Sequence, residues 1–221
     1  MENTKQRSLL HLIIAVLGAF ATLYGLRMFN QYLVADFSLP VRAVLMIVTQ
    51  WTLFLVPGIL MLINREKISD LGFTKERIPT QILLGILLAL LMSAILTVLP
   101  ILAGFKDMVG DTNYKFAWQF AYEFVYRILG VALAEELIFR GYIFRKLLEI
   151  KDSHWLAIFI SSVLFGLFHI FTGNLIQVFI TALIGFAYCM FREKIKGYTL
   201  LSLIFTHGVY DALIVLWVAL L

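Results

Sequence analysis

The segment AEELIFRGYIFR, Ala134 to Arg145, sets Glu135, Glu136 and Arg140 among apolar side chains. Two further stretches repeat the anomaly: SSVLFGLFHIFTGN carries His169, and FTHGVYDAL carries His207 and Asp211. Carboxylates and imidazoles are common general bases in hydrolysis, and two histidines with carboxylates are also a plausible zinc set. A charged group at the centre of a membrane helix costs at least ~2.5–3.5 kcal/mol on insertion scales. Several on neighbouring helices imply a shared polar interior and a function.

Helix geometry separates the roles in the first stretch. At about 100° per residue, Arg140 lies ~40° around the helix from Glu136 and ~140° from Glu135. Glu136 and Arg140 therefore read as an i,i+4 pair that neutralises itself and fixes the helix against its neighbours. Glu135 gets no partner from its own helix, which suits a general base working near neutral pH. Glu123 and Arg127 share the i,i+4 spacing nearer the helix start and read as a snorkelling ion pair. His207 and Asp211 share a face, and a hydrogen bond between them would lock one imidazole tautomer. Counted along the helices, Glu135, His169, His207 and Asp211 lie within roughly 10 Å in depth, so one pocket is permitted.

The elements that must position these groups are membrane helices. The 221-residue chain is 62% hydrophobic and only 14% charged, against about 25% charged in soluble domains. It reads as an integral membrane protein, one domain over 1–221 with the chemistry in about 117–215. Seven apolar runs, near 8–29, 41–63, 80–103, 117–147, 155–172, 175–191 and 198–220, approach the ~20 residues of a crossing. Strict alternation is absent, so the expectation is an all-α polytopic bundle of about seven transmembrane helices, or eight segments, with the long fourth run tilted or projecting beyond the bilayer. Pro57-Gly58 and Pro100 are candidate kinks. The run after Lys5 and Arg7 exceeds a signal peptide's apolar core and reads as a retained first helix.

With the N-terminus inside, twelve Lys and Arg fall in inner segments: Lys5, Arg7, Arg65, Lys67, Lys75, Arg77, Arg145, Lys146, Lys151, Arg192, Lys194 and Lys196. Four fall outside: Arg27, Arg42, Lys106 and Lys115. That asymmetry follows the positive-inside rule and places the N-terminus in the cytoplasm. The net charge of +4 is thus spent on topology and does not point to nucleic acid. Cys189 is the lone cysteine, so no intrachain disulfide and no cysteine-rich metal cluster exists.

In chain order, Glu135-Glu136-x3-Arg140, Phe165-x3-His169 and His207-x3-Asp211 resemble the motifs of the CPBP family. These are intramembrane proteases related to the Rce1-type CaaX prenyl endopeptidases and the bacterial Abi proteins. The SDLGFTKER stretch before the third run also looks like bacterial members. The resemblance implies peptide-bond hydrolysis in or beside the membrane, on a membrane-associated peptide or protein, with a bacterial plasma membrane as the expected home. By that pattern Glu135 activates a water that His169 helps to hold, Glu136 and Arg140 support the site, and His207 with residue 211 forms an oxyanion hole.

Residue 211 departs from the Rce1 pattern, which has asparagine there. An ionised carboxylate would repel a developing oxyanion. Three resolutions remain open: a protonated Asp211, an Asp211 that orients His207, or a metal held by His169, His207 and Asp211 with Glu135. Metal-free hydrolysis without cofactor is the expectation, with zinc as the alternative. The competing functions are a non-catalytic scaffold of the same fold, such as a bacteriocin-immunity protein or sensor-kinase partner, and a small ion-coupled carrier. No paired interrupted helices of the transporter kind are evident in the sequence.

Overall fold

The computed structural model describes residues 2–171 and 174–221. Among these residues the chain is helical with no strand, as the absence of alternation implied. The rods are α1 (Glu2–Tyr32), α2 (Leu39–Ile63), α3 (Ile78–Leu102), α4 (117–150), α5 (His154–Phe168), α6 (Leu175–Lys194) and α7 (Leu200–Leu220). Five are long and apolar enough to cross a membrane: the α1 segment Thr4–Asp36, then α2, α3, α6 and α7. α4 is not among these five, and α5 has only 15 residues. At ~1.5 Å per residue α5 is about 22 Å long, short of a ~30 Å hydrocarbon core. The apolar run expected to reach residue 172 ends its helix at Phe168, and Thr172 lies outside the described residues.

The helix ends follow from their sequences. The side chains of Ser153, Asn174 and Thr199 each accept from a backbone N–H in the first turn of α5, α6 and α7. The two candidate kinks appear as changes of winding. A 3₁₀ turn at Trp51–Phe54 precedes Pro57, and a π-helical turn at Ala94–Val98 precedes Pro100. A proline ring removes an N–H donor and crowds the carbonyl four residues back, which the altered winding relieves.

The bundle buries a polar set among apolar core clusters and carries an apolar outer surface. Leu62, Leu83, Phe159, Phe179 and Leu183 are exposed, while Glu136, Arg140, Ser161 and Thr206 are at 0% exposure. In water that distribution would be untenable, and against lipid it is the expected one. α7 packs along both α3 and α4, and α5 packs along α6. At the α4–α7 crossing, a Cβ on Gly208 would lie 2.5 Å from the Ile128 backbone, so only glycine permits this approach. Small residues at such crossings let the polar groups of two helices come within hydrogen-bond reach.

α4 is unusual. Ala117–Val125, Leu133–Glu136 and Phe144–Ile150 are α-helical, whereas Tyr126–Ala132 and Leu137–Ile143 wind as π-helix. π-turns widen a helix and re-aim its side chains, and they recur at functional sites. Here they flank Glu135 and Glu136 on both sides.

Candidate active site

Two layers make up the site. The lower layer is built on the α4 ion pair. Arg140 Nη1 donates to Glu136 Oε1 at 3.0 Å, with both side chains at 0% exposure. The guanidinium carbon of Arg140 also lies 4.1 Å from the Phe165 ring centroid and 5.3 Å from that of Tyr188. The backbone carbonyl of Arg140 accepts from Arg192 on α6. The pair expected from i,i+4 spacing is thus present and tied to α5 and α6.

Glu136 does more than neutralise Arg140. His207 Nδ1 donates to Glu136 Oε1 at 2.8 Å, across the α4–α7 contact. A carboxylate oxygen that already receives Arg140 accepts here too, so Nδ1 carries the proton. His207 and Asp211 also meet, as their i,i+4 spacing predicts. Asp211 Oδ2 lies 3.5 Å from Nε2, the opposite ring nitrogen, and Glu136 holds the ring. Phe165 edge-on at 5.8 Å and Tyr188 at 5.3 Å wall the imidazole.

Above this layer lies a cavity of about 420 Å³. Glu135, His169, Asp211, Arg127, Gln50 and Gln177 contribute its polar lining. Glu135 is buried, and its Oε2 has no hydrogen-bond partner among the described residues. His207 Nε2 lies 3.9 Å from that oxygen. Four expected residues therefore meet in one place: Glu135, His169 and Asp211 line the cavity, and His207 lies 3.9 Å from Glu135 and 3.5 Å from Asp211.

His169 lies one residue beyond the end of α5, not within a membrane helix as expected. Its Nδ1 is 2.9 Å from the Phe165 carbonyl oxygen. A carbonyl only accepts, so Nδ1 carries a proton in this contact.

Arg127 forms the expected i,i+4 ion pair with Glu123 and also reaches toward Asp211. Its Nε donates to Glu123 at 2.8 Å, but Nη1 lies 3.9 Å from Asp211 Oδ2, and the side chain lines the cavity. α7 presents Asp211 to it across the helix crossing. Gln50 and Gln177 escaped notice. Their signal was present, since an uncharged amide within an apolar run must also find a polar surrounding.

Among the described residues, no three His, Cys, Asp or Glu side chains are grouped so as to hold a metal ion.

Residues 117–213 match the family model described as Type II CAAX prenyl endopeptidase Rce1-like. The match covers α4 through most of α7 and includes all three motifs. No curated protein and no solved structure matches the chain. Motifs and family model agree on an Rce1-like segment within an integral membrane protein.

Proposed function

We propose that this protein is an intramembrane endopeptidase that hydrolyses a peptide bond of a membrane-associated peptide or protein, using Glu135 to activate water. One observation carries the reading. A buried carboxylate with an unpartnered oxygen faces a cavity that it shares with His169, while His207 stands 3.9 Å away. A scaffold has no use for such a group, because an unpaired buried acid is costly.

The steps follow from the atoms present. Water in the cavity donates one hydrogen to Glu135 and the other to His169 Nε2. Glu135 takes the first proton as the water oxygen forms a bond to the scissile carbonyl carbon. The carbonyl oxygen becomes an oxyanion, for which His207 Nε2–H is the donor. Since Nδ1–H is committed to Glu136, His207 must carry both protons for this, with Glu136 and Asp211 as its flanking countercharges. Glu135 then returns its proton to the amide nitrogen, and the C–N bond breaks as the carbonyl re-forms. The new carboxylic acid passes its remaining hydroxyl proton to the amine, so that a carboxylate and an ammonium leave.

Asp211 fits this scheme as an ionised group balanced by Arg127 and His207. Placed between them, it orients the imidazole and does not confront the oxyanion alone. Around this core, 117–215, the remaining helices complete a seven-crossing bundle with a cytoplasmic N-terminus. α4 crosses with its charges turned inward, and α5 crosses through a locally thinned bilayer. A bacterial plasma membrane suits this topology.

The test is comparative peptidomics. Membrane-bound and released peptides are compared between cells expressing the wild-type chain and cells expressing Glu135→Gln. Peptides that appear only with the wild type support the reading and name the substrate, while identical peptide sets sink it. Chelator treatment of the purified protein tests the metal-free mechanism: unchanged cleavage supports it, and loss restored by zinc overturns it.

A further inference from the structure

We infer that the cavity holding Glu135 is entered from the membrane face opposite the basic one, so that its substrate is a peptide segment presented at the outer leaflet. This rests on the endopeptidase reading for the word substrate, but the route of entry stands on the structure of the bundle.

The lining residues share one half of the bundle. Leu23 lies late in α1 and Ile214 late in α7, whereas Arg127 lies early in α4 and Gln177 early in α6. Those four helices alternate in direction, so late positions on α1 and α7 and early positions on α4 and α6 belong to the same end. A second cavity of about 400 Å³ shares Tyr126 with the first and continues to Trp118 and Tyr114, farther toward that end. The two cavities therefore adjoin at Tyr126, and the outer one, walled by Tyr114, Trp118 and Tyr122, lies between the Glu135 cavity and that end of the bundle.

The opposite direction is closed. Phe139, Arg140, Tyr142, Tyr188 and Leu203 fill the bundle beyond Glu135, each at 0–1% exposure. Water or peptide arriving from that side meets the packed ion-pair layer.

That closed side is the basic one. Lys146 Nζ lies 2.6 Å from Glu66, and Arg145 Nη1 lies 3.3 Å from it, which brings the α2–α3 loop against the end of α4. Arg7 donates to Asn64 at 2.5 Å, so the start of α1 is at the same face. Contacts between sequence-distant segments therefore gather the basic clusters on one surface. Lys and Arg accumulate on the cytoplasmic side of a bilayer, which leaves the cavity's mouth outside. A lipidated tail finished in the cytosol would arrive at the wrong end, whereas an exported or outer-leaflet peptide would reach the mouth directly.

The experiment labels single cysteines in a Cys189→Ser background with a membrane-impermeant maleimide, on spheroplasts of a bacterial host and on inverted vesicles. Gln177→Cys reports the Glu135 cavity, Trp118→Cys the outer cavity, and Lys151→Cys the basic face. The expected result is labelling of Gln177→Cys and Trp118→Cys in spheroplasts, and of Lys151→Cys in inverted vesicles. The reverse pattern overturns the inference, and Trp118→Cys alone decides the side if Gln177→Cys fails to fold. In the second arm, fluorescence-quenched apolar peptides are added to each preparation of the wild-type chain. Cleavage in spheroplasts supports the substrate class, and cleavage confined to inverted vesicles overturns it. Outside labelling with no cleavage on either side overturns the endopeptidase reading and leaves the route intact.

Discussion

Replacing Arg140 by methionine tests the lower layer of the site. The Arg140→Met variant removes the guanidinium from a pair whose members are both fully buried, leaving Glu136 with His207 as its remaining partner. Breaking one side of a buried ion pair costs about 3–5 kcal/mol, because the other charge stays desolvated. At about 2–4 °C per kcal/mol for a chain of this size, the melting temperature falls by about 6–20 °C. Adding Glu136→Gln removes the stranded charge and keeps an amide oxygen that accepts from His207 Nδ1. The native pair is itself under-satisfied, with Arg140 Nε, Arg140 Nη2 and Glu136 Oε2 unpartnered among the described residues. The double variant therefore recovers much of the loss, with a coupling of at least about 1 kcal/mol. What stays lost is the contact with the Phe165 ring, about 0.5–2 kcal/mol. The assay uses Cys189, the chain's lone cysteine, which is 1% exposed and reacts with a thiol dye only on unfolding. An unchanged melting temperature in Arg140→Met, or a double variant no more stable than that single one, refutes the reasoning.

Three more outcomes follow from the geometry. Arg127→Gln strips Asp211 of its outer countercharge, so the cleavage rate drops by about 10–100-fold, the scale of one charge-assisted contact; Asp211→Asn in the same chain restores part of it, and an Arg127→Gln rate equal to wild type contradicts the pairing. At the C-terminal end of α4, burial works against the charge of Glu149, but hydrogen bonds from Lys146 and Ser8 outweigh it and hold the carboxyl below its usual 4.5. A depressed pKa contributes stability that is complete above 4.5 and is lost as the pH falls through the folded value, so melting temperature declines below that pH and Glu149→Gln flattens the decline. Gly208→Ala forces a methyl group onto the Ile128 backbone, which costs about 1–3 kcal/mol as overpacking and is read by the same dye assay; a neutral effect would mean that the crossing yields.

Much of this arrangement is legible in the sequence. The apolar runs locate the helices, and the scarcity of charge in α1, α3 and α6 leaves the polar interior to α4, α5 and α7. The i,i+4 pair of Glu136 and Arg140 lies within one helix, so spacing alone finds it. What spacing cannot give is register between helices. His207 takes its proton-accepting partner from Glu136, on α4, because Gly208 lets α7 approach, and Arg127 reaches Asp211 across the same crossing. The π-helical turns in α4 have no marker in residue type, and they alter the 100° stepping on which the facing of Glu135 was argued. His169 lies past its helix because α5 ends at Phe168, where an apolar run continues without a proline or charge to announce it.

The most direct measurement compares peptide hydrolysis by the wild-type chain and by Glu135→Gln, each purified into liposomes and each shown folded by the Cys189 dye assay. Loss of a general base lowers the rate by at least about 100-fold, and that loss at an unchanged melting temperature is the expected result. A Glu135→Gln protein that cleaves at the wild-type rate contradicts the account.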